Sequence, residues 1–233
     1  GENIAACIVE PIAGSTGCLV PPKGYLKRLR EICDKHGILL IFDEVITGWG
    51  RTGESFAAQS FDVTPDIITM AKGITNGVMP LGAVASRESI YDTLLDASPT
   101  GAIEFFHGYT YSAIPPCIAA GLAMQEIIKK ENLFERSKNM SPYFLDGLFS
   151  LKDIDIVTDI RGYGMLGGID IKFDERLGKA GFSCFKKLFE VGLSLKATGD
   201  CLIVAPPFIC EEHHIDEIIE KLRAGITNYM KSV

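Results

Sequence analysis

Three ionisable residues in the first third of the chain occupy equivalent local positions. Glu10 follows the apolar run AACIV, Asp43 follows ILLIF, and Lys72 follows IITMA. In an open parallel sheet, ligands bind in the crevice outside the carboxyl ends of the strands. If these runs are neighbouring parallel strands, two carboxylates and one ammonium meet at a single edge. An isolated acid in such a place is ordinarily a loop residue or a helix cap, and an isolated lysine is ordinarily a solvated surface group. Lys72, however, stands between Ala71 and Gly73 at the end of an apolar run, which is poor ground for a surface lysine. Desolvation and neighbouring charge lower an amine's pKa from about 10.4 and make it a usable nucleophile or base.

A ligand that needs an acid and a lysine at opposite ends is pyridoxal phosphate. Its aldehyde forms a Schiff base with lysine, and a carboxylate at the pyridine nitrogen keeps that nitrogen protonated, so that the ring draws electrons from the substrate carbon. That arrangement favours transamination.

The elements that must position these residues follow an alternating pattern. AACIVE reads as a strand, and PKGYLKRLREICDKHG places Tyr25, Leu26, Leu29, Ile32 and Cys33 at helical spacing, with Pro22 near its start and Gly37 at its end. ILLIF is apolar throughout, as parallel strands covered on both faces are. PDIITMAKG and PLGAVAS supply further strands, which makes the fold α/β, a mostly parallel sheet with helices on both faces. From Pro115 the spacing becomes helical, with two helices broken near Glu131 and Asn132. Beyond residue 150 come the runs IDIVTDIRGYGMLGGIDIKF, a helix over about 178–190, GLSLKA, CLIVAPP and a final amphipathic helix from about Glu211. We therefore expect a large sheet domain over residues 1–132 and a smaller α+β unit over 133–233.

Bulk properties narrow the function. A net charge of -7 and a pI near 5.2 argue against nucleic acid as partner, because phosphate binding relies on clustered Lys and Arg. The 7 cysteines form no C-x-x-C pair and read as reduced cytosolic thiols buried as small hydrophobes. No apolar run approaches the roughly 20 residues that a membrane-spanning helix needs, so a cytoplasmic protein is expected. The chain opens at Gly1, almost inside a core strand, which suggests a piece of a longer protein.

Four segments, FDEVITGWGRTG, AKGITNGVMPLGAV, FFHGYTYSAIP and TGDCLIVAPPF, taken in this order, resemble the class III (omega-amino acid) pyridoxal-phosphate aminotransferases, especially the β-alanine:pyruvate branch. The resemblance runs from about Val9 to the last helix and corresponds to the later part of such an enzyme's large domain, of fold type I, followed by its small domain. It implies that Asp43 pairs with the pyridine nitrogen, that Val45 packs on one ring face, and that Lys72 carries the cofactor and shuttles a proton. It further implies a homodimer in which Thr110, with the backbone amide of Tyr109, reaches the phosphate of the neighbouring subunit's cofactor. Glu10 matches the family glutamate on the substrate-facing side. The expected substrates are an omega-amino acid or amine as donor and a keto acid such as pyruvate as acceptor. Where relatives place an arginine before TGD to grip the substrate carboxylate, this chain has Lys196, a compact charge without the planar fork. The Gly/Ser phosphate turn and the stacking aromatic that relatives carry earlier are not found here. The chain by itself is expected to bind the cofactor weakly or not at all.

Rival patterns are weaker. GYGMLG, Gly162 to Gly167, fits the dinucleotide spacing G-x-G-x-x-G but lies between two β-like runs, where a hairpin is expected instead of a strand-to-helix turn. His213 and His214 suggest a metal, yet adjacent histidines at a helix start are expected to diverge into solvent without a third ligand. An inactive fragment, or a split subunit that needs an amino-terminal partner chain, is the non-enzymatic alternative; an aminomutase is the alternative chemistry. Strand alternation sends Asp43 and Glu44 to opposite sides, leaving Glu44 to support the loop or subunit contacts near Arg51.

Overall fold

The computed structural model describes residues 3–101, 107–172 and 178–232. The chain begins with β1 (Ala6–Val9), α1 (Tyr25–His36), β2 (Leu39–Asp43), the short α2 (Ala57–Ser60) and β3 (Ile67–Met70). It continues with β4 (Ala83–Ser86), α3 (Glu88–Asp96) and α4 (Pro115–Lys130). The first sheet has the order β1-β2-β3-β4. β1, β2 and β3 are parallel, whereas β4 returns antiparallel to β3, so PLGAVAS is a strand of the opposite sense. Short apolar β-branched runs separated by a helix form this parallel unit because the crossover helix covers one face of the strands.

The packing follows the two-residue strand period. Leu40 and Phe42 turn towards α1 and are buried with Leu26, Cys33 and Ile38, while Cys7 and Val9 pack against the same cluster. The opposite face carries Ile8 and Leu39, and Ile8 is 62% exposed; on β4, Val84 is 68% exposed. Within α1 the basic Lys35 and His36 occupy the last turn, where they complement the helix dipole.

The second unit comprises α5 (Leu133–Phe149), β5 (Val157–Tyr163), β6 (Leu166–Ile171), α6 (Ala180–Glu190), β7 (Lys196–Thr198), β8 (Cys201–Val204) and α7 (Glu212–Met230). Its sheet is ordered β5-β6-β8-β7 and is antiparallel throughout. Phe144, Leu148, Ile169, Leu202 and Leu222 are fully buried at the centre of its core between sheet and helices. GYGMLG forms the β5–β6 hairpin, with Gly162 opposite Gly167 and Tyr163 opposite Leu166. A third cluster joins the units: Ile12 and Cys18 from the loop after β1 are buried against Leu166, Cys201 and Ile203. All seven cysteines are free and six of them are buried. Among the described residues no helix is long and apolar enough to cross a membrane.

Two local constraints tie the layers. The buried Asp66 carboxylate accepts the Leu40 N–H at 2.7 Å and pairs with Arg30 at 2.7 Å and with Arg87 at 3.2 Å. Burial opposes its charge, but the Leu40 N–H and the guanidiniums outweigh that and hold the carboxyl below its usual range. At the hairpin tip, Gly164 has φ 61°, and a β-carbon there would press on the Arg51 carbonyl oxygen and lie 2.7 Å from Thr52 Cα. Only glycine allows the hairpin to seat on that loop.

Asp66→Asn is expected to lower stability by about 1–3 kcal/mol, because the neutral amide leaves the two arginines without their buried partner. A depressed carboxyl stabilises fully above its unfolded value and loses that contribution as pH falls through the folded one. The gap between Asp66 and Asp66→Asn in urea melts should therefore shrink as pH drops below about 4. Gly164→Ala should cost about 1–3 kcal/mol or more in the same melts; a neutral effect would show that the hairpin tip does not pack on residues 51–52.

Candidate active site

The register of the parallel strands brings the acids side by side. Val9 lies opposite Phe42 and Asp43 opposite Thr69, so Glu10 and Asp43 leave neighbouring strands at the same edge, and Lys72 follows two residues beyond the end of β3. Leu40 and Phe42 point towards α1, so Asp43 shares the other face with Leu39 and Ile41, and Glu44 turns back inwards.

The two adjacent acids have different work. Glu44 is fully buried, and its carboxylate accepts the Ala57 N–H at 2.6 Å, the Ala58 N–H at 2.8 Å and the Thr47 hydroxyl at 3.0 Å. Burial pushes its carboxyl above the usual range, and these three donors offset that push only in part. Glu44 thereby fixes both ends of the loop between β2 and α2. Asp43 is half-buried; its Oδ1 accepts the Val45 N–H at 3.1 Å, and Oδ2 has no protein partner among the described residues. Glu10 is held in turn by the Gly14 N–H, 3.0 Å from Oε2.

Lys72 opens a single 3-10 turn, Lys72–Ile74, with φ 44°. That left-handed conformation costs a non-glycine residue about 1–3 kcal/mol and persists only where surroundings enforce it. The enforcing neighbour is Trp49, itself at φ 61°. A β-carbon on Gly73 would stand 2.5 Å from Trp49 Cβ, so the glycine after the lysine lets the indole pack directly on the turn. The Trp49 ring meets Phe56 edge-on at 5.4 Å.

These groups border a cavity of about 780 Å³ between the two units, whose lining includes Val45, Trp49, Arg51, Lys72, Lys196 and Phe208. Of the residues singled out in the sequence, Val45, Arg51, Lys72 and Lys196 reach it. Asp43 and Glu10 stand at the adjoining strand ends, outside its lining. Thr110 and Tyr109 are exposed on the stretch before α4, with Tyr109 77% accessible and its N–H bonded to the Ser112 hydroxyl at 3.0 Å. Phe105 and Phe106 of the same motif lie outside the described residues.

One sequence expectation holds and another needs correction. Glu44 does support its loop, and Arg51 is held elsewhere: its Nη1 donates to the Met165 carbonyl at 2.9 Å and to the Pro206 carbonyl at 2.7 Å, and its Cζ sits 4.4 Å over the Phe208 ring. His213 and His214 do not diverge. Their rings lie 3.8 Å apart, and a third donor, Glu211, joins them within 4.8 Å. There the His214 Nδ1 accepts the Glu211 N–H at 3.1 Å and caps α7, a local use that explains the geometry without a ligand. Sequence reasoning also missed Trp49 and Phe208 as cavity walls; the only signal was a large aromatic between two glycines in GWG.

The family profile described as aminotransferase class-III matches residues 1–226. The chain is 51% identical to the omega-aminotransferase of Caulobacter vibrioides over 95% of its own length and 51% of that protein. It is 47% identical to the beta-alanine–pyruvate aminotransferase of Pseudomonas aeruginosa over 94% of its length and 49% of the relative. Among solved structures, a transaminase from the marine bacterium Virgibacillus superposes with a TM-score of 0.91 at 35% identity, covering 99% of this chain and 54% of the other. An (S)-enantioselective omega-transaminase from Thermomicrobium roseum gives the same TM-score at 36% identity, covering 98% and 52%. The chain thus spans about half the length of the curated relatives it matches. With a matched profile over nearly all of its residues and a parallel sheet that sets lysine and aspartate at one edge, this chain belongs to the class-III aminotransferase family.

Proposed function

We propose that the chain is the carboxyl-terminal portion of a pyridoxal-phosphate-dependent transaminase that moves an amino group from an omega-amino acid or amine to a keto acid such as pyruvate. The observation that carries this reading is the convergence of Lys72 and Asp43 at neighbouring strand ends, with Val45 bonded to the Asp43 carboxylate and lining the cavity. The residues fit the cofactor: an ammonium on a strained turn, a carboxylate with a free oxygen, and an apolar side chain on the cavity wall. When bound, the cofactor supplies an electron sink for the substrate carbon.

In this reading Lys72 holds the cofactor covalently and afterwards moves the proton at the substrate carbon. Asp43 would hold the pyridine nitrogen protonated, and the Val45 N–H bond to Oδ1 restrains the carboxylate from rotating away. Val45, on the cavity wall, would pack on one face of the ring, and Glu10 would stand on the substrate side. Lys196, exposed on β7 at the cavity wall, offers the acceptor carboxylate a point charge. Thr110 and Tyr109 are exposed and do not line the chain's own cavity, which suits a contact with the phosphate of a neighbouring subunit's cofactor in a homodimer. Residues 1–132 form the cofactor-binding unit and residues 133–233 the small domain.

A second reading rests on a separate observation. The sheet face that bears Ile8 and Val84 is open, and half of the relatives' length has no counterpart here. Such a surface belongs to a protein that folds with an amino-terminal chain, so catalysis would reside in the assembly.

Borohydride reduction followed by peptide mass mapping should place pyridoxal phosphate on Lys72 and nowhere else, and Lys72→Ala should abolish it. If an intact assembly turns over, Lys72→Ala should lower kcat by about 10²–10⁴ through loss of the proton-transfer group. Asp43→Asn should keep the covalent attachment but weaken cofactor affinity about tenfold to a hundredfold, the worth of a charged hydrogen bond. Full activity of the 233-residue chain alone would refute the split reading; activity restored only by co-expressing an amino-terminal half would support it.

A further inference from the structure

We infer that Arg51 anchors the carboxylate of an aliphatic substrate in the cavity between the two units. This rests on reading that cavity as the substrate pocket of an aminotransferase. Arg51, Lys72 and Lys196 line it, and among the described residues no Asp or Glu does. The rest of the wall is largely apolar, with Leu133, Leu166, Val204 and Ile218 on it. A space with this lining suits an anion with a hydrocarbon body.

Arg51 differs from the other two cations in how it is held. Both hydrogens of Nη1 are committed, to the carbonyls of Met165 and Pro206, and the Phe208 ring lies under the guanidinium. The plane of the group is therefore set. The remaining edge, formed by the Nε and Nη2 hydrogens, has no partner among the described residues, and Arg51 forms no ion pair among them. Neither nitrogen is sealed off, and the open space beside Arg51 is the cavity. That edge is the one that binds a carboxylate through two parallel hydrogen bonds.

Burial pushes the Arg51 guanidinium down to about 10, so it stays charged at neutral pH. An enclosed cation without a counter-ion is unfavourable, and a bidentate carboxylate relieves it. Lys196, exposed and without a fork, cannot supply that geometry. Arg51 thus takes over the directional part of carboxylate recognition, and Lys196 adds long-range attraction.

The test uses the chain's single tryptophan, Trp49, which lines the same cavity and reports on its occupancy by fluorescence. Hexanoate should change its emission saturably, whereas hexylamine and hexan-1-ol should not. Arg51→Lys keeps the charge and loses the fork, and should weaken hexanoate binding about tenfold or more. Lys196→Gln should change it by no more than about threefold, as expected for an exposed charge. Because Arg51 also joins the two units, the unsubstituted chain supplies a second readout: the Arg51 Nε–H resonance should shift on adding hexanoate. Absence of hexanoate binding, equal affinity in Arg51→Lys, an unmoved Nε–H resonance, or loss of binding in Lys196→Gln alone would each overturn the inference. Cofactor attachment at Lys72 is scored separately. Arg51-dependent binding without attachment would refute the transaminase reading alone, and attachment with Arg51-independent binding would refute this inference alone.

Discussion

The buried carboxylate of Glu44 organises the site without belonging to its chemistry. A charge removed from water is tolerable only when its lone pairs are satisfied. Glu44 meets that demand with two backbone N–H groups at the start of α2 and one hydroxyl from its own loop. Because the donors lie on both sides of the loop, satisfying the charge also fixes the path of residues 45–58. Val45, Trp49 and Arg51 are all carried on that path. The same pleat that sends Glu44 inwards sends Asp43 outwards, so one pair of adjacent acids provides both the buried support and a half-buried carboxylate at the strand edge.

The second unit completes the cavity by main-chain contacts as much as by side chains. Gly164 seats the β5–β6 hairpin on residues 51–52, and the Met165 N–H donates to the Arg51 carbonyl at 2.9 Å. Arg51 returns the contact through its side chain. Ile12, Cys18, Leu166 and Ile203 bury the seam beneath. The ammonium of Lys72 comes from one unit and that of Lys196 from the other, so the spacing between the two charges depends on this seam.

Much of the architecture was legible because local signals and tertiary demands agree. Fully apolar runs marked the parallel strands, Gly37 ended α1, and the break at Glu131 and Asn132 separated α4 from α5. The strand-end rule placed Glu10, Asp43 and Lys72 at one edge of the sheet, and alternation separated Asp43 from Glu44. The sense of β4 was not legible, since an apolar run looks the same in either direction. The partners of Arg51 were not legible, because its carbonyl acceptors lie 114 and 155 residues away and belong to backbone, which leaves no trace in side-chain identity. The histidine pair was misread because a capping hydrogen bond, absent from simple helical geometry, turns His214 back along the chain. The Thr110 and Tyr109 assignments owed everything to motif resemblance, and within a single chain those residues simply face solvent.

The way Arg51 grips the second unit bears on how the cavity can change. Its Nη1 hydrogens bind main-chain oxygens on two separate segments, the hairpin and the stretch after β8. The width of the cavity near Arg51 is therefore set by backbone spacing and not by rotamers. Substitutions at Leu133, Leu166 or Ile218 can reshape the wall and the accepted chain length, while the distance between loop and hairpin stays constant. Selection acting on this pocket has side-chain volume as its adjustable variable and the loop-to-hairpin gap as its fixed ruler.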